Sequence, residues 1–332
     1  MTNQLVAALY TKETGLPKEE AYYKQLLLDR QFTSIAPQIY HSLKEKGRLE
    51  QVPDFFSHYL KGQYDQTMQL NFFVKHETTQ LLDAFEERGM EVIPLKGVCF
   101  AEDYFGSLGA RKTSDIDLLV KHGHIDAAVK LANQLGFTGE EAKIPGHFHY
   151  SYSKKLPWSE IPLVVELHWD LLKESTAQLA IEEFWQASEP LGQYSSVKKL
   201  SSLHVFYMIV LHGWRHNLDS RKYYLDIIQL LHFLQDDLDF DQLINMSEMH
   251  KTRKRLVRTL SAVYQEFPFL HQLKPFPYQS SRKYLEFTSK QDGSNFYKKY
   301  TDYVDYQFFS YDTPSDTMKE IMAILFPSRK KC

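Results

Sequence analysis

The sequence predicts a mainly helical α+β fold in which one small mixed β-sheet is flanked by N- and C-terminal helical domains. Apolar residues recur at helical spacing from about Leu5 to Glu87, and again from Leu203 almost to Phe326. Between them, from about Glu91 to Leu172, short apolar runs have the period of strands. The order there is strand, helix, strand, helix, strand, strand, which implies a mixed sheet with helices packed on it. The expected division is a helical region over 1–89, an α/β core over 90–175 and a helical domain over 176–332.

In the first region Leu70, Phe73, Val74, Leu81, Leu82 and Phe85 mark one helical face. Gly89 follows its last turn, where a left-handed residue commonly closes a helix, and Val92-Ile93-Pro94-Leu95 then reads as a strand. Gly97 opens a short helix from Val98 to Tyr104, and Gly106 and Gly109 lie in a polar loop ending at Ser114. Asp115 to Val120 is the second strand. Ile125 to Leu135 returns to helical spacing, and Gly136 stops it. Phe148 to Ser153 and Pro162 to Leu167 are the remaining strands, on either side of a loop, Lys154 to Ile161, that contains Pro157. Downstream, Leu203, Phe206, Val210 and Leu211, then Tyr223, Ile227, Leu230, Leu231 and Leu234, restore the helix. Pro275, Pro277 and the polar residues after Lys290 mark loops between helices, and no repeat or low-complexity tract is present.

Composition narrows the function. The chain has 332 residues, 43% of them hydrophobic, and its 39 basic and 42 acidic side chains leave a formal charge of −3. Bulk attraction to nucleic acid or an anionic membrane is therefore not expected, and such a partner would need a local patch. No run reaches the roughly 18 apolar residues that span a bilayer. Met1 to Gly15 lacks an apolar signal core behind a basic end, so the expectation is a cytoplasmic protein with no membrane partner. Cys99 and Cys332 have no metal-binding or redox spacing, which disfavours a disulfide scaffold and a cysteine zinc site.

The chemistry is concentrated in Ser114-Asp115-Ile116-Asp117-Leu118-Leu119-Val120. On a strand the two aspartates emerge on one face and Ile116 on the other. At about 5 Å and an effective dielectric near 20 the two charges repel by roughly 3 kcal/mol unless a cation or proton lies between them. Hard oxygen ligands of this kind suit Mg²⁺ or Mn²⁺ with positions left for phosphate oxygens; the alternative is a solvated strand end. Glu166 lies in Val164-Val165-Glu166-Leu167-His168-Trp169-Asp170, an otherwise core-like strand. If that strand lies beside Asp115 to Val120, three carboxylates converge and can hold two metals for phosphoryl or nucleotidyl transfer. If it lies at an edge, Glu166 is a surface residue. Lys96 and Gly97, between a strand and a helix, can hold phosphate through the ammonium and the free helix N–H groups, or form a plain turn. Arg111 and Ser114 can reach a triphosphate, although Arg111 also reads as a surface residue.

These residues carry a resemblance. Leu95-Lys96-Gly97, Arg111 with Ser114 to Val120, and Glu166-Leu167-His168-Trp169 resemble the bacterial family of uncharacterised nucleotidyltransferases, within the nucleotidyltransferase-fold superfamily related to DNA polymerase β. Ile35-Ala36-Pro37-Gln38-Ile39-Tyr40, Leu211-His212 and Asp226-Ile227 resemble its flanking helical segments, so most of the chain is covered. The resemblance implies that Asp115 and Asp117 are metal ligands and Glu166 the third acid. It also implies that Lys96-Gly97 stands in for the Gly-Ser phosphate turn of the wider superfamily. Lys96 is a departure, since it replaces a hydroxyl with an ammonium. The acceptor stays open, because some relatives occur beside genes for ribosomally made modified peptides and more distant superfamily members modify tRNA, antibiotics or protein hydroxyls.

Other residues invite weaker readings. His168 shares a strand face with Glu166 and can bind phosphate, orient a metal-bound water or take a proton, or can pack against a carboxylate. His147 and His149 share a face of the preceding strand and rank below it. His212 and His216, four apart on a helix, have zinc-compatible spacing without a metallohydrolase glutamate. With Arg215, Arg221 and Lys222 they read as a polar wall or a solvated face. Lys251, Arg253, Lys254, Arg255 and Arg258 could grip nucleic acid, but a solvated helix is the preferred reading. The tail Arg329-Lys330-Lys331-Cys332 has no prenylation pattern.

The expected function is metal-dependent transfer of a nucleotide from a nucleoside triphosphate, such as ATP, to an unknown acceptor (peptide, protein, RNA or small molecule), with release of pyrophosphate. Asp115, Asp117, Glu166 and His168 are the expected catalytic set. Lys96, Gly97, Arg111 and Ser114 are the expected triphosphate set. A non-catalytic metal-nucleotide module presenting a helical surface to a protein partner is the alternative. A glycosyltransferase is disfavoured by the helical start.

Overall fold

Helices Thr2–Tyr10, Glu20–Leu28, Ala36–Glu45 and Asp54–Glu87 precede the sheet. The computed structural model describes residues 1–11, 14–139, 147–156, 159–291 and 296–325. These divide between two units, Met1–Asp170 with Phe184–Ser201, and Leu171–Glu183 with Ser202–Cys332. Pro157, Phe326 and the tail containing Cys332 lie outside the described residues. No described helix is long and apolar enough to cross a membrane.

The first unit contains a mixed sheet of strands β1 (Val92–Pro94), β2 (Asp115–Val120), β3 (Thr138–Gly139), β4 (His149–Leu156) and β5 (Ser159–His168), in the order β1-β2-β5-β4-β3. β5 runs parallel to β2, and the other pairs are antiparallel. Ile116, Leu118 and Val120 of β2 and Leu163, Val165 and Leu167 of β5 alternate onto one face. There they pack with Leu81, Leu82 and Phe85 of the long helix and with Ala128, Leu131 and Ala132 of helix Ile125–Gln134. That alternation leaves Asp115, Asp117, Glu166 and His168 on the opposite face.

Two local expectations are corrected. The span from Lys154 to Ile161, expected as a loop, is strand at both ends. Lys154 pairs with Leu163 and Leu156 with Ser159, with a bulge or register shift between the two pairs. The buried face of Asp54–Glu87 also differs. Its inward residues include Thr67, Asn71 and Thr78, whereas Phe73 is exposed, because this face meets a loop backbone as well as apolar side chains.

In the second unit, helices Ser202–Arg215, Arg221–Phe233, Phe240–Met249 and Arg253–Glu266 follow in order. The basic run is not a uniformly solvated face. Arg255 is fully buried, with its guanidinium 4.6 Å from the Trp214 ring and 4.7 Å from the Tyr311 ring. Arg258 pairs with Asp302 at 3.1 Å and Asp305 at 3.3 Å on helix Phe296–Phe309. Aromatic and acidic partners supplied from elsewhere in the chain account for the burial of these two cations.

Candidate active site

Strand register brings the acids together. Asp117 on β2 is paired in register with Glu166 on β5, and Asp115 stands two residues earlier on the same face. Backbone pairing therefore positions this set, with Asp117 2% exposed and both Asp115 and Glu166 partly open.

Cations already lie between the carboxyl groups. Lys96 Nζ stands 3.0 Å from Asp115 Oδ2 and 2.8 Å from Asp117 Oδ2. The repulsion expected from the paired aspartates is relieved by the chain's own ammonium. On the other side of Asp117, His168 Nε2 lies 3.2 Å from Asp117 Oδ1 and 3.1 Å from Glu166 Oε2. The Lys96 ammonium and the His168 imidazole thus face three carboxyl groups.

Electrostatics follow from that packing. Burial opposes the charge on Lys96, but Asp117 and Asp115 outweigh it and raise its pKa. Burial likewise opposes ionisation of Asp117, and Lys96 and then His168 reverse the effect, so its pKa is lowered. Glu166, also penalised by burial, is brought down to about 2 by its hydrogen bond and charge interaction with His168, with smaller help from His149 and Lys96. His168 is raised above the ordinary imidazole value because Asp117 and Glu166 overcome its burial.

Gly97 sets the turn beneath Lys96. Its φ of +78° and ψ of −137° suit glycine, and an added Cβ would stand 3.4 Å from the Asp115 carbonyl oxygen. Leu95 N–H donates to the Asp117 carbonyl at 3.0 Å, tying this turn to β2, and helix Val98–Phe105 begins directly after it. At Lys96-Gly97 the structure has a glycine turn at a helix N-terminus, with the lysine turned onto the aspartates.

Ser114 is exposed, with its hydroxyl 3.5 Å from Asp115 Oδ1. Arg111 is 4% exposed, so it is not a surface residue, and its guanidinium lies 5.0 Å from the Phe100 ring centroid. The loop carrying both is clamped by the long helix. Asn71 Nδ2 donates to the carbonyls of Leu108 at 2.6 Å and Arg111 at 2.7 Å, and Tyr64 OH is 2.7 Å from Ser107 Oγ. An added Cβ on Gly109 would stand 2.6 Å from the Tyr64 ring, so glycine permits this approach.

Two neighbours of the acids carry little sequence signal. Asn71 shows nothing beyond a polar residue within a helical run. His149 ranks below His168 on sequence, yet it is registered against His168, with ring centroids 5.0 Å apart. His147 is beside it, 5.6 Å from the His149 ring. His212 and His216 do not belong to a metal-compatible cluster among the described residues. They pack with Tyr223, whose ring stacks on His216 at 4.8 Å.

The donor set fits a divalent cation. Asp115 and Asp117 share one cation in the form of Lys96, and Glu166 adds an ionised oxygen donor next to Asp117. An incoming ion would compete with Lys96 for the aspartates. No curated protein and no solved structure matches the chain significantly. The model of one family, described as uncharacterised nucleotidyltransferase, matches residues 29–267, a span that holds the whole sheet, the three acids and the helix that clamps their loop, and the chain belongs to that family.

Proposed function

We propose that this chain is a metal-dependent nucleotidyltransferase that joins a nucleoside monophosphate from a nucleoside triphosphate to an acceptor hydroxyl and releases pyrophosphate. The observation that carries the reading is the registry of Asp117 with Glu166, with Asp115 on the same strand face. The family match supports the reaction class, and the mixed sheet with β5 parallel to β2 supports kinship with the DNA polymerase β-like superfamily.

In the reaction an acceptor oxygen forms a bond to the α-phosphorus, the bond from that phosphorus to the α,β-bridging oxygen breaks, and pyrophosphate leaves. A bound Mg²⁺ or Mn²⁺ would supply charge stabilisation for the phosphoryl oxygens and the leaving group. Asp115 and Asp117 hold that charge. Glu166, ionised down to about pH 2, is better suited to fixing a cation and orienting the acceptor than to retaining its proton, which it passes on to solvent. Lys96 neutralises the aspartates in the metal-free protein and passes to the β- and γ-phosphates once they are neutralised otherwise. The Gly97 amide, at the start of helix Val98–Phe105, faces the same phosphates. Ser114 and Arg111 border the triphosphate.

The experiment is pyrophosphate release from ATP, GTP, CTP and UTP with Mg²⁺ or Mn²⁺, with and without cell extract as a source of acceptor. Release that depends on the intact chain supports the reading. Nucleotide binding without release under every condition would favour the non-catalytic module instead.

A further inference from the structure

The sheet face that carries the acids also carries a nitrogen-containing donor set. His149 on β4 is registered against His168 on β5, with the two rings 32° apart in plane. Glu166 precedes His168 by two residues, which puts both side chains on one face, and Glu166 Oε2 is 3.1 Å from His168 Nε2. One donor atom from each of His149, Glu166 and His168 lies within 4.8 Å of the other two. Donors about 2.1 Å from a shared ion stand about 3–4 Å apart, so small side-chain rotations close the set.

Adjacent strands hold all three residues, and backbone hydrogen bonding fixes their relative positions. His168 is buried, and its Nε2 already points at two carboxylate oxygens, from Glu166 and Asp117, where a cation is favoured. The other ring nitrogen, Nδ1, is buried without a hydrogen-bond partner among the described residues, so nothing there turns the ring away from the carboxylates. Ligand chemistry then decides which cation is preferred. Mg²⁺ favours an octahedron of oxygens and keeps much of its water. Imidazole nitrogens suit borderline first-row ions, and two histidines with one glutamate form a set that holds Zn²⁺ with a coordination position left open.

We propose that His149, Glu166 and His168 form a binding site for a borderline divalent transition metal of the Zn²⁺ and Co²⁺ class, beside the aspartate pair and selective against Mg²⁺. This deepens the assignment of Glu166 as a cation ligand and rests on it. The site makes one of the ions at this centre nitrogen-ligated and leaves Asp115 and Asp117 as the oxygen side.

Co²⁺ is the probe, titrated into the chelator-treated full-length chain without nucleotide and followed by visible absorption. The expected result is a saturable one-equivalent band that Zn²⁺ abolishes and a hundredfold excess of Mg²⁺ does not. His149→Ala should weaken Co²⁺ binding about tenfold or more. Pulsed electron spin resonance of the wild-type chain loaded with one equivalent of Co²⁺ should show coupling to imidazole nitrogen, a readout independent of how any variant folds. Absence of the band, its displacement by equimolar Mg²⁺, unchanged affinity in a folded His149→Ala chain, or absence of nitrogen coupling would each overturn the proposal. Pyrophosphate release with Mg²⁺ alone and no Co²⁺ band would sink this site and keep the proposed reaction. A Co²⁺ band with no release under any condition would do the reverse.

Discussion

Asp117 and Glu166 are register partners on adjacent parallel strands, and a single atom, His168 Nε2, lies 3.2 Å from the first and 3.1 Å from the second. With Lys96 on the far side of Asp117, the most buried of the three acids is held between an ammonium and an imidazole. The centre is preorganised around charge even without a bound ion, and this makes its behaviour testable by stability as well as by activity.

Asp117→Asn should abolish transfer and also destabilise the metal-free protein. Two aspartates in mutual repulsion would gain from losing one charge, but Lys96 already pairs with Asp117 and His168 contacts its other oxygen, and the substitution leaves both without their shared partner. Breaking a buried ion pair from one side costs about 3 kcal/mol or more. Urea denaturation in chelator measures this, and a stability equal to or above that of wild type would show that Asp117 is not held by these groups.

Lys96→Met should raise the response to divalent ions. The variant leaves Asp115 and Asp117 without their ammonium, so the metal-free protein melts lower, and added Mn²⁺ restores more stability than it gives the wild type. Thermal melts with and without ion decide it. An ion-induced shift no larger than that of wild type would mean that Lys96 does not compete for the aspartates.

The pH dependence has a defined sign. His168 has a raised folded pKa, so its contribution is full below the unfolded value of about 6.5 and is lost as pH rises through the folded value. Glu166, lowered to about 2, contributes above its unfolded value of about 4.3 and loses that contribution as pH falls towards about 2. The stability difference between wild type and His168→Gln, measured in chelator from about pH 5 upward, should therefore decline with pH. A difference that grows with pH would contradict the assigned charge.

Asn71→Leu should loosen the approach to the site from a distance. It removes the donor to two carbonyls, those of Leu108 and Arg111, and a buried acceptor left unpaired costs about 1–3 kcal/mol. Hydrogen exchange over 107–114 should accelerate. Unchanged protection there would remove the long helix from the positioning of Ser114 and Asp115.

The sheet and its acids were legible because period-two alternation and an Asp-x-Asp spacing are local properties of the chain. Asp115, Asp117 and Glu166 each show their face within their own strand, and only the adjacency of those strands needed the structure. The partner of Lys96 was not legible. A lysine before a glycine turn reads as a phosphate ligand, and nothing within a few residues says that its ammonium returns to the strand that follows. Asn71 was hidden for the same reason, since its partners are 37 and 40 residues away. The burial of Arg255 and Arg258 is not legible either, because charge in a helix looks solvated until the aromatic and acidic groups that bury it arrive from elsewhere in the chain.

Nucleotidyl transfer is tested most directly by following the fate of label from a nucleoside triphosphate carrying it on the α- or the γ-phosphate, supplied with Mn²⁺ and cell extract. The account predicts that α-label becomes covalently attached to an acceptor, that γ-label leaves as pyrophosphate, and that Asp117→Asn does neither. Attachment of γ-label, or α-label transfer undiminished in Asp117→Asn, would contradict it.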